Sequence, residues 1–350
     1  MQVDLPCPPR KALRRKLSEG IPMSASVAPA TLPIIDIAGL RAGHPGALER
    51  AAAEIHAACT GPGFFYIRGH GVHEGVIAAA VDAARAFFAL PEDTKRQVAA
   101  NRLHRGWHAM GGALMEGARH TDRKEFFSIG LELPESDAAV RAGEPLRGPN
   151  QWPAFVPAMQ PAFADYFREI GLAGAALLSA VAASLGLPPD FFAASYRKPL
   201  QRTQAIYYPP RPEGAGEDEF GVAPHTDFGC LTLLWQDGNG GLQVRERQSG
   251  GWIDAPPLPG TLVVNVGDLL GRWSNDRFAS TPHRVINRSG RERFSIATFY
   301  DPDFGAMVDP RALGAAEGEA RYEPVTAGQH ILNRFDQAFG YRKRLAAAQG

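Results

Sequence analysis

From Arg202 to Tyr300 the chain is cut into short β-branched and aromatic runs by Gly, Pro, Asn and Asp. The runs are TQAIYYP, CLTLLWQD, GLQVRER, GWIDAPP, GTLVVNVGD, HRVINR and RFSIATFY. Each is too short for a stable helix and suits a pleated, half-buried strand, so their regular spacing restricts this region to a sandwich or jelly-roll barrel. The preceding half has a different texture. Residues 45–59 (PGALERAAAEIHAAC), 75–99 (GVIAAAVDAARAFFALPEDTKRQVA) and 161–185 carry helical periodicity, with strands expected in LPIIDI and GFFYIR. Helices first and strands second predict an α+β fold in which the barrel carries the site. The expected divisions are residues 1–30 as a flexible N-terminal extension, 31–200 as an N-terminal α/β region, 201–305 as the jelly-roll core and 306–350 as a C-terminal segment.

Charge excludes some partners. The 350 residues hold 37 Lys and Arg against 37 Asp and Glu, leaving no electrostatic footprint for nucleic acid or an anionic membrane. No apolar run is expected to reach the roughly 18–20 residues that span a bilayer. Cys7, Cys59 and Cys230 are scattered and odd in number, which suits neither a disulfide framework nor a zinc knuckle and points to a reducing cytoplasm. In the first 30 residues a basic cluster, PRKALRRKLSEG, precedes SASVAPAT with no apolar core of a signal peptide between them. A solvated tail is the expectation, with Met23 an alternative start and residues 1–22 dispensable for fold and turnover.

Chemistry enters at GVAPHTDFG. Residues i and i+2 of a strand share a face, so His225 and Asp227 converge if a strand begins there. A lone His-x-Asp is a weak signal. It gains weight from His283 in STPHRVIN, which also follows a proline and heads a β-branched run. Two imidazoles and one carboxylate on one face of a metal leave positions open for other ligands, as in non-haem Fe(II) oxygenases. Zinc hydrolases use the same residue types. Ten residues on, Arg293-Phe294-Ser295 sets a guanidinium fork and a hydroxyl on one face, which suits a carboxylate. Beside an iron, that pocket suggests a dicarboxylate cosubstrate.

His225-x-Asp227, His283-Arg284-Val285 and Arg293-x-Ser295 together resemble the 2-oxoglutarate/Fe(II) dioxygenases of the isopenicillin N synthase-like family. LPIIDI, GPGFFYIRGHGV, FFALPEDTK, RGWHAMGG, DRKEFFSIG, GPNQWP and YYPPRP match its landmarks in order, so the resemblance covers about residues 32 to 305. It implies a double-stranded β-helix core with a helical N-terminal region and flanking helices. It implies iron ligation by His225, Asp227 and His283, and capture of the 2-oxoglutarate distal carboxylate by Arg293 and Ser295 with help from Tyr208. Ile206 stands where many plant relatives carry an asparagine near the cosubstrate.

The implied cofactors are Fe(II), 2-oxoglutarate and dioxygen, with ascorbate as an accessory reductant. The implied reaction is hydroxylation, desaturation or ring formation on a small molecule, with release of succinate and carbon dioxide. Three alternatives stay open on these motifs: a cosubstrate-independent oxidase like isopenicillin N synthase, an ethylene-forming enzyme that fragments 2-oxoglutarate, and a jelly roll with a dead site. Nucleic acid and membrane are not expected partners, and monomer and dimer are both open. Among the remaining polar residues, His70 reads as a turn histidine and His104, His108 and His120 as surface histidines. Asp268 reads as a strand-end turn and Cys230 as a buried thiol, while Glu125, Phe126, Phe127, Phe299 and Phe304 are divided between pocket and core.

Overall fold

Every punctuated run between Arg202 and Tyr300 forms a strand in the computed structural model, which describes residues 31–112, 121–216, 219–316 and 318–339. The proposed extension (1–30), His120 and the last eleven positions lie outside the described residues. In chain order the strands of the two main sheets are β1 (Ile34–Asp36), β2 (Phe64–Arg68), β3 (Gly106–His108), β4 (Glu125–Gly130), β5 (Arg202–Tyr208) and β6 (Val222–His225). They continue with β7 (Leu231–Gln236), β8 (Leu242–Arg245), β9 (Trp252–Asp254), β10 (Thr261–Val266), β11 (His283–Val285) and β12 (Arg293–Tyr300). Eight of them make one sheet in the order β1-β2-β10-β7-β12-β5-β4-β3, and four make a second in the order β6-β11-β8-β9. This is the double-stranded β-helix. The N-terminal strands join it directly: β2 pairs antiparallel with β10, and β4 with β5.

The period of two along each strand divides the larger sheet between two cores. On β5, Ala205 and Tyr207 face the helices while Gln204, Ile206 and Tyr208 face the space between the sheets. On β12, Phe294 and Ile296 pack outward, and Arg293, Ser295 and Ala297 point inward. A one-residue slip would exchange the two sets, so burial of Phe294 fixes the inward direction of Arg293.

Helices α1 (Ala47–Thr60), α2 (Glu74–Phe88) and α3 (Met159–Ser184) cover the outer face of the larger sheet. Phe87, Phe127 and Phe163 are fully buried between helices and strands, each worth roughly 1.5–3 kcal/mol in removal from water. Contrary to the expectation from sequence, α3 contains a stretch long and apolar enough to cross a bilayer by length and composition. Its Tyr166, Ile170, Leu177 and Val181 are instead spent on the core. Beneath α2, Lys95 and Glu125 form a buried ion pair at 2.7 Å, and Trp107 Nε1 donates to the same carboxylate. Glu125 is therefore a core residue. Two shorter helices bear on the site: α4 (Asp268–Trp273) after β10, and α5 (Ala327–Ala338), which lays Ile331 and Phe335 over the open end of the barrel.

Candidate metal centre and carboxylate chamber

His225 ends β6 and His283 begins β11, and the two are direct antiparallel partners. Their rings lie 4.3 Å apart between centroids. Asp227 arrives differently from the sequence expectation. The strand stops at His225, so Asp227 sits in the following turn and not on a shared strand face. Hydrogen bonds hold it instead: Thr232 Oγ1 and Asn265 Nδ2 both donate to its Oδ2, at 2.6 and 2.7 Å. Oδ1 is left for the histidines, 3.8 Å from each Nε2.

The tautomers are fixed by the backbone. His225 Nδ1 donates to the Ala223 carbonyl at 2.8 Å, and His283 Nδ1 to the Thr281 carbonyl at 3.2 Å. Each Nε2 then carries its lone pair inward, and the partner on the far nitrogen orients the ring. Burial, aided by the neighbouring His283, pushes His225 down to about 3, so it is neutral and ready to ligate at neutral pH. Burial works to raise Asp227. The neighbouring His283 and His225, with the Thr232 and Asn265 hydrogen bonds, outweigh it and hold the carboxyl below its usual range. Two imidazoles with inward lone pairs and a carboxylate, all within 4.8 Å of one another, make a donor set for a divalent ion. Asp268 braces both ligand segments. Its amide donates to the Asp227 carbonyl at 2.7 Å, and its carboxylate accepts from Thr226 and Ser280 and pairs with Arg334 at 3.1 Å.

The triad forms one end of a chamber of about 70 Å³ between the sheets, and Tyr208, Arg293 and Ser295 line it with them. Arg293 is fully buried. Nε donates to the Gly240 carbonyl at 2.6 Å, one terminal nitrogen to Ser295 Oγ at 3.3 Å, and the other to Gln236 Oε1 at 3.2 Å. A guanidinium has five N–H groups. Three protein bonds leave two, one on each terminal nitrogen. The Tyr208 ring lies 4.6 Å beneath the guanidinium carbon. Among the described residues no carboxylate neutralises this arginine. A buried, unpaired guanidinium is costly, and an anionic ligand in the chamber removes that cost. Ile206 lines the same wall and adds an apolar contact.

Other expectations are corrected or refined. His104 and His108 are buried, not surface histidines: His108 stacks on Phe126 at 4.1 Å, and His104 on Phe335 at 4.3 Å. His70 is the turn histidine expected, its Nδ1 accepting from the Val72 amide. Cys230 is a buried thiol, pushed well above its ordinary pKa mainly by burial. Phe126 and Phe299 face a second chamber beside the triad, whereas Phe127 belongs to the helix-side core and Phe304 packs on Gly328 of α5. Sequence reasoning missed Thr232, Asn265, Lys124, Gln204 and the aromatic cover from α5. The i, i+4 spacing of Ile331, Phe335 and Phe339 was the available signal for the cover.

Residues 32–155 match the family described as "non-haem dioxygenase in morphine synthesis N-terminal", and residues 199–302 match the 2OG-Fe(II) oxygenase superfamily. The 2-oxoglutarate-Fe(II) type oxidoreductase hxnY of Emericella nidulans is 34% identical over 332 residues, spanning 91% of this chain and 95% of that protein. A full-length Neurospora crassa protein solved in complex with alpha-KG superposes with a TM-score of 0.77 at 28% identity, covering 87% of this chain and 96% of that one. A 2OG-Fe(II) oxygenase family protein from Caulobacter crescentus also gives a TM-score of 0.77, at 30% identity over 89% of this chain and 99% of that one. With the His-Asp-His cluster and the carboxylate chamber in one barrel, the chain belongs to the 2-oxoglutarate/Fe(II)-dependent oxygenases and uses iron, 2-oxoglutarate and dioxygen to oxidise a small molecule.

Proposed function

We propose that His225, Asp227 and His283 ligate the iron, and that Arg293, Ser295 and Tyr208 hold the distal carboxylate of 2-oxoglutarate. The unneutralised, fully buried guanidinium of Arg293 in the triad's own chamber carries this reading. Its two spare N–H groups suit one carboxylate, and the Ser295 hydroxyl adds a third donor. Iron, 2-oxoglutarate and dioxygen, when bound, supply the oxidising power and yield succinate and carbon dioxide. The chain's own work is placement. Backbone carbonyls at Ala223 and Thr281 keep the imidazole protons on Nδ1, while Thr232 and Asn265 occupy one Asp227 oxygen and leave the other for the metal. Ile206, Leu234 and Val285 line the chamber with apolar surface that excludes water from the carboxylate contact.

Within the superfamily we assign the chain to the isopenicillin N synthase-like branch, with a cytoplasmic location and ascorbate as accessory reductant. The match of residues 32–155 and the three scattered cysteines favour this assignment. The Neurospora crassa neighbour has also been solved with thymine, in line with a compact organic substrate here. The test is succinate formation from 2-oxoglutarate by the Fe(II)-loaded protein, with and without a panel of small metabolites. Succinate production that needs iron and rises with one panel member is expected. Oxygen consumption that proceeds equally without 2-oxoglutarate would replace this reading with a cosubstrate-independent oxidase.

A further inference from the structure

We infer that Lys124 and Gln204 form the anchoring point for the prime substrate, and that this substrate is a compact organic carboxylate. The inference rests on the oxygenase reading above and concerns a different face of the site. Beside the triad, a chamber of about 60 Å³ is walled by Phe126, Phe228, Phe299, Phe335 and Phe339, with His225 and Asp227 at its base. Among the described residues, three other side chains line it: Lys124, Arg202 and Gln204. Lys124, immediately before β4, and Gln204 on β5 both point inward, and both residues border the iron chamber as well.

The polar groups there have unmet capacity. Gln204 is 7% exposed, and its side-chain amide has no hydrogen-bond partner among the described residues. That amide lines the chamber with both its donor and its acceptor free for a ligand. Lys124 is 8% exposed and contacts Asp122 at 3.1 Å. Asp122 is itself tied to the Ala223 amide and does not line the chamber. The ammonium therefore faces the cavity with its carboxylate behind it. Arg202 repeats this orientation, backed by Asp301 at 2.6 Å.

The approach has the same polarity. A pocket of about 330 Å³ adjoins through His225 and Phe228, and its charged lining residues are Arg245 and Arg334. Arg334 also has its carboxylate, Asp268, outside the lining. Apart from the metal-site Asp227, no acidic residue among the described residues lines either space. An arriving molecule meets ammonium, guanidinium and amide groups, with aromatic faces around them. A carboxylate can accept from Lys124 and from the Gln204 amide together, and an apolar body of modest size fills the remaining volume. The small inner chamber admits only the reacting end of anything larger.

The experiment uses full-length protein loaded with Mn(II) and saturating 2-oxoglutarate, so that Arg293 is occupied. Binding is followed by calorimetry for acetate, benzoate and phenylacetate, each against its own primary amide. We expect at least one acid to bind with at least tenfold preference over its amide. K124M should abolish that preference, K124R should retain most of it, and Q204L should weaken the acid several-fold, all with 2-oxoglutarate affinity within about twofold of wild type. The inference is overturned if no acid is preferred, if amides bind better, or if K124M weakens 2-oxoglutarate instead, since Lys124 would then serve the cosubstrate. Failure of wild-type protein to bind 2-oxoglutarate at all would strike the underlying oxygenase reading and be seen before any acid is added.

Discussion

Replacing Arg293 with lysine keeps a positive charge in the chamber and removes the planar fork. The guanidinium gives three of its five N–H groups to Gly240, Ser295 and Gln236, which lock its plane and leave one N–H on each terminal nitrogen. A lysine ammonium has three N–H groups on a single nitrogen and cannot offer a parallel pair to a carboxylate while also bonding the Gly240 carbonyl. Loss of one hydrogen bond to a charged group costs about 1.5–3 kcal/mol, or roughly 10- to 150-fold in affinity. We therefore expect the 2-oxoglutarate dissociation constant of R293K to rise by that factor. Metal affinity should stay within twofold, because none of the hydrogen bonds that orient His225, Asp227 and His283 involves Arg293. Calorimetric titration of Mn(II)-loaded wild type and R293K with 2-oxoglutarate, preceded by titration of the metal itself, reads both quantities. An unchanged 2-oxoglutarate affinity would refute the reasoning, and the proposed role of Ser295 would fall with it.

Alanine at His225, Asp227 or His283 should abolish turnover and sharply weaken metal binding, and near-wild-type activity in any one would remove that residue from the site. T232V and N265L should each lower metal affinity about 10- to 100-fold, because Asp227 loses a donor that holds its outer oxygen; equilibrium dialysis against Mn(II) measures this, and unchanged affinity counts against it. His108 is pushed down to about 3 by burial and the nearby Lys124 charge. Its folded pKa lies below its unfolded value of about 6.5, so its contribution is complete above pH 6.5 and is lost as pH falls toward 3. At pH 4.5 the loss is about 3 kcal/mol. H108F apoprotein should thus lose less stability than wild type between pH 7 and 4.5 in urea melts, and parallel curves would contradict the assignment.

The strands of the barrel were legible because each core-facing run announces its period between Gly and Pro breaks, and the RFS motif was legible because alternation puts Arg293 and Ser295 on one face. The same rule misled at Asp227. Two residues after His225 the chain has already left the strand, and two hydrogen bonds from β7 and β10 place the carboxylate. Those donors are far apart in sequence, and nothing local marks Thr232 or Asn265 as different from any other strand residue. His104 and His108 were misread for a related reason. Their burial depends on α5 folding back over β3 and β4 from more than 200 residues away, a contact that no local pattern around them encodes. Lys124 and Gln204 face the metal chamber only because β4 lies beside β5, a pairing that joins the N-terminal half to the barrel.

The central claim is one metal held by His225, Asp227 and His283 beside a carboxylate pocket at Arg293. A crystal structure of the Mn(II) and 2-oxoglutarate complex, phased with anomalous data at a wavelength where manganese scatters, tests it most directly. The expected result is a single strong anomalous peak bounded by both Nε2 atoms and Asp227 Oδ1, with a 2-oxoglutarate carboxylate on Arg293. A peak coordinated through Nδ1 or placed away from these three residues would contradict it, as would 2-oxoglutarate bound with Arg293 left unpaired.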